Sequence, residues 1–248
     1  MGVSAFLITL NEEKKIARAL DSVSWTDERI VVDSGSSDRT LEICRSKGAK
    51  VFTRKFDNFE NQKNYALSLT KQEWVLSIDA DEIVTPSLAA EIQEVIRRDN
   101  AHSAYWIKRL NYFLGHPLHF GRQGKDQVLR LFQKNRGRFV GIVHEVVQIN
   151  GSIGNLQGVL EHYGTETLTE YRTKLNLYTD LEAARIISER RVPSFLKALC
   201  FPPAQWILNY LFLGGFLDGR SGFFYHGLSC YYGWLKNFKT RALDQHKG

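Results

Sequence analysis

Trp74-Val-Leu-Ser-Ile-Asp-Ala-Asp-Glu82 is an apolar run that stops in acid. Trp74, Val75, Leu76 and Ile78 give the pattern of a buried strand, with only Ser77 between them. Side chains alternate along an extended backbone, so Asp79 and Asp81 share one side and Ala80 takes the other. Two carboxylates held a few ångströms apart repel. A hard divalent cation such as Mg²⁺ or Mn²⁺ relieves that repulsion and usually holds substrate phosphates as well. The competing reading is an acidic loop after a strand, with Glu82 opening the next helix. Spacing alone does not choose between them, because acid pairs at strand ends are common.

Outward from this stretch, strands and helices alternate. Val3–Thr9 reads as a strand, and residues 12–23 as a helix that Thr9 or Asn11 can cap. Glu28–Asp33 is a second strand, running into the small-residue loop Asp33-Ser-Gly-Ser-Ser-Asp-Arg-Thr40 and a helix from Asp38 to Lys47. Lys50–Thr53 is a third strand, and a helix over Asn61–Leu69 precedes Trp74. This order predicts an α/β fold with a doubly wound, mostly parallel sheet, whose ligands sit beyond the strand C-termini. Three strands end in polar groups there: Thr9 with Asn11 and Glu12, then Asp33, then Asp79 with Asp81. Such convergence suits a nucleotide site and favours the cation reading. No GxGxxG follows the first strand and no GxxxxGK[ST] occurs, which argues against dinucleotide and P-loop chemistry. Gly35 either lets the backbone approach a ligand or serves as an ordinary turn glycine.

Beyond a helix over Pro86–Arg98, Ala104–Arg109, Gln127–Phe132 and Val143–Ile149 read as strands. Leu114–Lys125 between the first two is a polar, Gly-rich loop of a length that is often functional, and it carries His116 and His119. His144 and Glu145 face opposite sides of an apolar strand. They read either as a third metal ligand beside a general base, or as a satisfied core histidine beside an edge glutamate.

The 248 residues suffice for one large domain, or one domain with an appendage, and 43% hydrophobic and 24% charged residues are ordinary for a soluble globular chain. Cys44, Cys200 and Cys230 are widely spaced and odd in number, which argues against a disulfide framework or zinc site and for a reducing compartment. The N-terminus lacks the features of a signal peptide, so a cytoplasmic location is expected. From Arg185 onward nine Lys/Arg stand against three Asp/Glu, which accounts for the whole net charge of +6. The apolar run Ala204–Leu217 is 14 residues, too short to span a bilayer as a helix. Trp206, Tyr210 and Trp234 with Lys236, Lys239 and Arg241 suit helices lying on the inner face of the cell membrane. The alternative is helices packed on the domain or on a second subunit, so an oligomer is also open. Nucleic acid is disfavoured, because residues 201–217 are apolar and uncharged.

Phe6-Leu-Ile-Thr-Leu-Asn-Glu12, Val31-Val-Asp-Ser-Gly-Ser-Ser-Asp-Arg-Thr40 and Ser77-Ile-Asp-Ala-Asp-Glu82 together resemble the family 2 inverting glycosyltransferases of the GT-A fold. Gln127–Phe132, Arg138–Glu145 and the basic aromatic tail resemble the branch containing bacterial lipopolysaccharide inner-core glucosyltransferases. The resemblance implies a GT-A catalytic domain over residues 1–165 and a helical acceptor-side and membrane-surface region over 166–248. It implies a UDP-sugar donor lined by Thr9, Asn11, Glu12, Asp33, Ser34 and Gly35, with Asp33 accepting from the base. Lys63 would lie near the diphosphate, and Asp79, Ala80 and Asp81 would form the Asp-x-Asp motif. Asp79, Asp81 and His144 would hold Mg²⁺ or Mn²⁺, and Gln127 and Arg130 would face a glycolipid acceptor. The base is Glu145 or Asp126. The acceptor implied is a lipopolysaccharide core or related glycan, with a polyprenyl-linked or protein acceptor as the alternative. Nucleotidyl transfer would call for a Gly-rich basic loop where Phe6–Glu12 stands, and a membrane scaffold would leave the strand-end acids without a role.

Overall fold

Four strands carry the parallel half of the sheet: β1 (Val3–Thr9), β2 (Glu28–Asp33), β3 (Lys50–Thr53) and β4 (Trp74–Ser77). They lie in the order β3-β2-β1-β4, in a computed structural model that describes residues 1–98, 101–141 and 145–245. Alternation sends their side chains to two cores. On one face Val3, Ala5, Leu7, Val31, Trp74 and Leu76 pack with α1 (Ile16–Ser22), α2 (Thr40–Ser46) and α4 (Pro86–Val95). On the other, Phe6, Ile30, Val32 and Val75 meet Ala66 and Leu67 of α3 (Phe59–Leu69). Full burial of one such side chain contributes about 1.5–3 kcal/mol, so an acid at Leu76 would break the centre of the sheet. The α/β layers expected from the alternation of elements are present.

The second half of the sheet is antiparallel. It comprises β5 (Glu82–Val84), β6 (Ala104–Phe113), β7 (His116–Leu118), β8 (Gln127–Gln133) and β11 (Ile153–Thr165). Beyond β4 the order is β8-β6-β11-β5, with β7 paired to β6. The sheet is therefore mixed where the sequence predicts a mostly parallel one. Helical crossovers enforce parallel pairing only as far as β4, and later strands return without them. Besides β7, which falls in the loop expected over Leu114–Lys125, three strands escape the sequence reading. One is β5, so that Glu82 opens a strand rather than a helix. The others are β11 and β9 (Gly137–Val140), which pairs with β10 (Val146–Ile149). The strand expected over Val143–Ile149 begins at Val146, and residues 142–144 lie outside the described residues.

The chain divides into two compact units, Met1–Arg109 with Asp126–His162 and Leu110–Lys125 with Tyr163–Gly248. The second unit is largely helical: α5 (Leu168–Ser188), α6 (Phe195–Ile207) and α7 (Gly219–Gln245), with a π turn and a 3₁₀ turn between α6 and α7. Pro202 and Pro203 lie inside α6, where proline removes the donor that would satisfy the carbonyl four residues earlier. Both freed carbonyls are met from α7. Asn237 donates to the Ala198 carbonyl at 3.4 Å, and Trp234 Nε1 to that of Leu199 at 2.8 Å. The 114–125 loop belongs to this unit. Its His119 and Phe120 amides donate to the Asp218 carboxylate at 2.9 and 3.1 Å. Among the described residues no helix is long and apolar enough to cross a membrane.

Candidate functional site

The order β3-β2-β1-β4 leaves a crevice at the carboxyl end of β1 and β4, where connections from β1 diverge. Thr9 lies beside Asp33 in the β1–β2 register, and the Ile78 amide continues β4 by donating to the Phe6 carbonyl at 3.1 Å. The sequence-predicted donor residues collect on this edge. Asp33 is fully buried and closes the loop behind it, accepting from the Gly35 amide at 2.8 Å, the Ser36 amide at 2.9 Å and the Ser36 hydroxyl. Gly35 sits at φ +104 with open space where a Cβ would point, so backbone conformation rather than crowding calls for glycine there. The Asn11 amide donates to Ser36 Oγ, and Asn11 Oδ1 accepts from the Ser37 amide, each at 2.8 Å. The Glu12 amide donates to Thr40 Oγ1 at 2.8 Å, and Gln62 donates to Ser34 Oγ at 3.1 Å. The two loops are one hydrogen-bonded unit. Thr9 Oγ1 is buried at its edge without a hydrogen-bond partner among the described residues.

Around β4 a chain of alternating charges replaces the isolated acid pair of the sequence. Lys63, on α3 and with a side chain 3% exposed, bridges Asp79 Oδ1 at 3.2 Å and Glu145 Oε1 at 2.8 Å. Arg130 on β8 pairs with the other oxygen of Asp79 and, at 2.7 Å, with Glu82 Oε1. Arg109 on β6 continues it, 3.3 Å from Glu82 and 2.8 Å from Asp126. Glu82 is fully buried and also accepts from the Asp79 amide at 3.0 Å. Burial opposes ionisation of Asp79, but the Arg130 and Lys63 charges outweigh it and hold its carboxyl well below the usual range. Burial opposes the Arg130 charge too, yet Asp79 and Glu82 raise its pKa above the ordinary value.

Asp81 follows a different course. Its Oδ2 stands 3.5 Å from Nε2 of His162 on β11. Burial pushes its carboxyl up, while the hydrogen bond and charge of His162 more than reverse that. Strand pairing explains the meeting, since His162 lies opposite Glu82 in the β11–β5 register. Ala80 between the two acids is buried.

A cavity of about 540 Å³ is lined by Lys63, Asp79, Gln127, Arg130, Phe139 and Glu145, among others. It gathers one of the two base candidates, Glu145, with both predicted acceptor residues. Asp126 is held by Arg109. His144 lies outside the described residues. Glu82, Arg109 and His162 are site residues that sequence reasoning missed. Glu82 stands in the quoted motif, and only the competing acidic-loop reading gives it a place, at the start of a helix. Only the strand β11, poorly patterned in sequence, places His162.

The sequence profile described as glycosyl transferase family 2 matches residues 4–163. An uncharacterized glycosyltransferase of Rickettsia prowazekii is 33% identical over 87% of this chain and 81% of its own length. One of Rickettsia typhi is 31% identical over 98% of this chain and 87% of its own. The lipopolysaccharide core biosynthesis glycosyltransferase LpsC of Rhizobium meliloti is 28% identical over 89% and 85% of the two chains. Among solved structures, glucosyl-3-phosphoglycerate synthase of Mycobacterium tuberculosis in complex with Mn²⁺ and UDP-glucose shares 26% identity over 45% of this chain and 44% of that one. Its TM-score is 0.38, an overlap too partial to place a ligand here.

Proposed function

The chain belongs to glycosyl transferase family 2, and on that premise we propose that it moves a hexose, glucose by its branch resemblance, from a UDP-sugar to a lipopolysaccharide core or related cell-surface glycan, with inversion. The mixed sheet with its parallel β3-β2-β1-β4 half meets the GT-A expectation. One observation carries the reading: Lys63 holds Asp79 at 3.2 Å and Glu145 at 2.8 Å on the wall of one cavity. It joins a strand-end acid of the donor edge to a carboxylate fit to be a base.

In this reading Thr9, Asn11, Glu12, Asp33, Ser34 and Gly35 form the nucleoside side, where the unpartnered Thr9 Oγ1 offers a hydrogen bond. Glu145 accepts the proton of the acceptor hydroxyl, and that oxygen attacks the anomeric carbon from the face opposite the departing group. The C–O bond to the diphosphate breaks, its electron pair leaves with UDP, and the proton stays on the Glu145 carboxyl. Asp126 is the second candidate for this role. Lys63 and Arg130 keep Asp79 ionised, and Lys63 also orients Glu145.

The donor set suits a divalent cation, Mg²⁺ or Mn²⁺. Asp81 Oδ2 and His162 Nε2 are 3.5 Å apart, a separation that two ligands of one cation at about 2.1 Å can share. Among the described residues no three His, Cys, Asp or Glu side chains form a complete cage. In this reading the cation is held by few side chains and completed by substrate phosphates. When bound, it would stabilise charge growing on the leaving diphosphate. Asp79, whose oxygens are taken by two cations, serves the donor side, and His144 remains a further ligand candidate.

Gln127 and Arg130 line the acceptor side of the cavity. Residues 166–248 are assigned to the acceptor and to the inner membrane surface, which the exposure of Phe212 (78%) and Leu196 (70%) supports. The Rhizobium meliloti relative, named for lipopolysaccharide core biosynthesis, supports the acceptor class. The test is release of UDP from a panel of UDP-hexoses, with Mn²⁺ and a heptose-terminated lipid A core as acceptor. Metal-dependent release from UDP-glucose is expected. Release from no UDP-hexose, with turnover of nucleoside triphosphates instead, would overturn the reading in favour of nucleotidyl transfer.

A further inference from the structure

The helical unit holds a second cavity, of about 330 Å³, formed by α6, α7 and the end of α5 and within the size range of small-molecule pockets. Its wall combines three chemistries. Phe201, Pro202 and Trp206 of α6 with Ile186 and Pro193 supply apolar surface. Arg191, Lys197 and Lys236 supply cations, and no carboxylate is among the lining residues. Lys236 pairs with Glu182 at 3.1 Å and Arg191 with Glu189 at 3.4 Å, while Lys197 has no ion-pair partner among the described residues. The third chemistry is unmet hydrogen bonding. Asn209 Oδ1 and His226 Nε2 are buried, line the cavity and have no hydrogen-bond partner among the described residues. His226 is 5% exposed, and burial lowers its pKa, which favours the neutral imidazole. A buried polar atom without a partner costs free energy unless a ligand or water meets it.

We propose that this cavity binds one chain and the phosphate of an anionic lipid. The acyl chain would lie on the apolar wall, the phosphate would face Lys197 and Arg191, and the glycerol hydroxyl would donate to Asn209 Oδ1 or His226 Nε2. The apolar flank of α6 favours a lipid over a free phosphate. Phe195 (54% exposed), Leu196 (70%) and Phe201 (51%) lie on the helix that lines the cavity, and Phe201 is part of both surfaces. A soluble phosphate would use the cations and leave the aromatic wall without a role. The inference rests on the reading that the helical unit meets a lipid surface, and it assigns a specific lipid site within it.

Cys230 lines the cavity and reports on its occupancy. Burial raises its thiol pKa, so labelling is slow enough to follow at mildly alkaline pH. In the full chain carrying Cys200→Ser, which removes the exposed thiol, a small maleimide is added with lysophosphatidylglycerol below its micelle concentration. Lysophosphatidylcholine and inorganic phosphate are the controls. The expected result is slowing of Cys230 labelling by lysophosphatidylglycerol, less by lysophosphatidylcholine and not by phosphate. Lys197→Ala should weaken the protection about fivefold, as one cation facing an anionic lipid implies. Labelling unaffected by lysophosphatidylglycerol, equal protection by phosphate, or protection indifferent to Lys197→Ala overturns the proposal. Flotation with anionic vesicles is read in parallel. Flotation without Cys230 protection rejects the cavity site and leaves the surface reading standing, whereas protection without flotation does the reverse.

Discussion

The two units handle their polar and apolar groups in opposite ways. In the sheet unit, charge is taken inside: Glu82 is fully buried, and the Lys63 and Arg130 side chains are 3% and 10% exposed. In the helical unit, apolar surface is left outside, with Phe212 78% and Leu196 70% exposed. Each is costly by itself, and the proposed function gives each a different role. A buried ion chain loses desolvation energy on folding and is retained where it fixes groups for chemistry. Exposed aromatics and leucines beside cations are retained where another apolar phase meets them.

Substitutions can break this contrast. The largest effect is expected from Asp81→Ala, which should lower UDP-sugar turnover about a thousandfold or more and remove its dependence on Mn²⁺. Near-wild-type turnover without metal would refute the metal assignment. Next, Glu145→Gln should reduce kcat about a hundredfold to ten-thousandfold while leaving donor affinity almost unchanged. If Asp126→Asn does this instead, the base is the carboxylate held by Arg109.

Glu82→Gln tests the interior side of the contrast without touching substrate. It leaves Arg130 and Arg109 short of a buried counter-charge and should cost about 3 kcal/mol in urea unfolding. Glu94→Gln, in an exposed pair with Arg98, should leave stability unchanged. Equal effects from the two would mean that the ion chain is not a buried network.

Acid titration follows from Asp79. Its folded pKa lies below the ordinary value of 3.8, so its contribution is complete above that value and is lost as pH falls towards the folded one. The stability gap between wild type and Asp79→Asn should therefore stay constant from neutral pH to about pH 4 and narrow only below it. A gap that closes nearer neutrality would contradict the pairing with Arg130 and Lys63. The smallest effect on the fold is expected from Phe212→Asp, within about 0.5 kcal/mol. It should still weaken flotation with anionic vesicles.

The parallel half was legible because its signals are local. Alternation in Val3–Thr9 and Trp74–Ile78 and the small-residue loop after Asp33 can all be read within a few residues of each other. The antiparallel half was legible only at β6 and β8. Along β11 buried Gly154 and Leu156 alternate with exposed Ile153 and Asn155, which gives little apolar contrast, so the strand was missed and His162 with it. Glu82 failed for the opposite reason. An acid after a strand and before a proline-started helix reads as a helix start. Only Arg109 and Arg130, brought in by β6 and β8, show it to be an interior charge. Lys63 was placed from the family motif. Its contact with Glu145 depends on β9 and β10, whose pairing no local spacing reveals.

The most direct test of the donor site is thermal denaturation of wild type and Asp81→Ala with UDP-glucose and Mn²⁺, against ATP and Mn²⁺. A donor-diphosphate site predicts that UDP-glucose with Mn²⁺ raises the Tm of wild type, that ATP does not, and that Asp81→Ala loses the response. Equal stabilisation by ATP, or an undiminished response in Asp81→Ala, would contradict it.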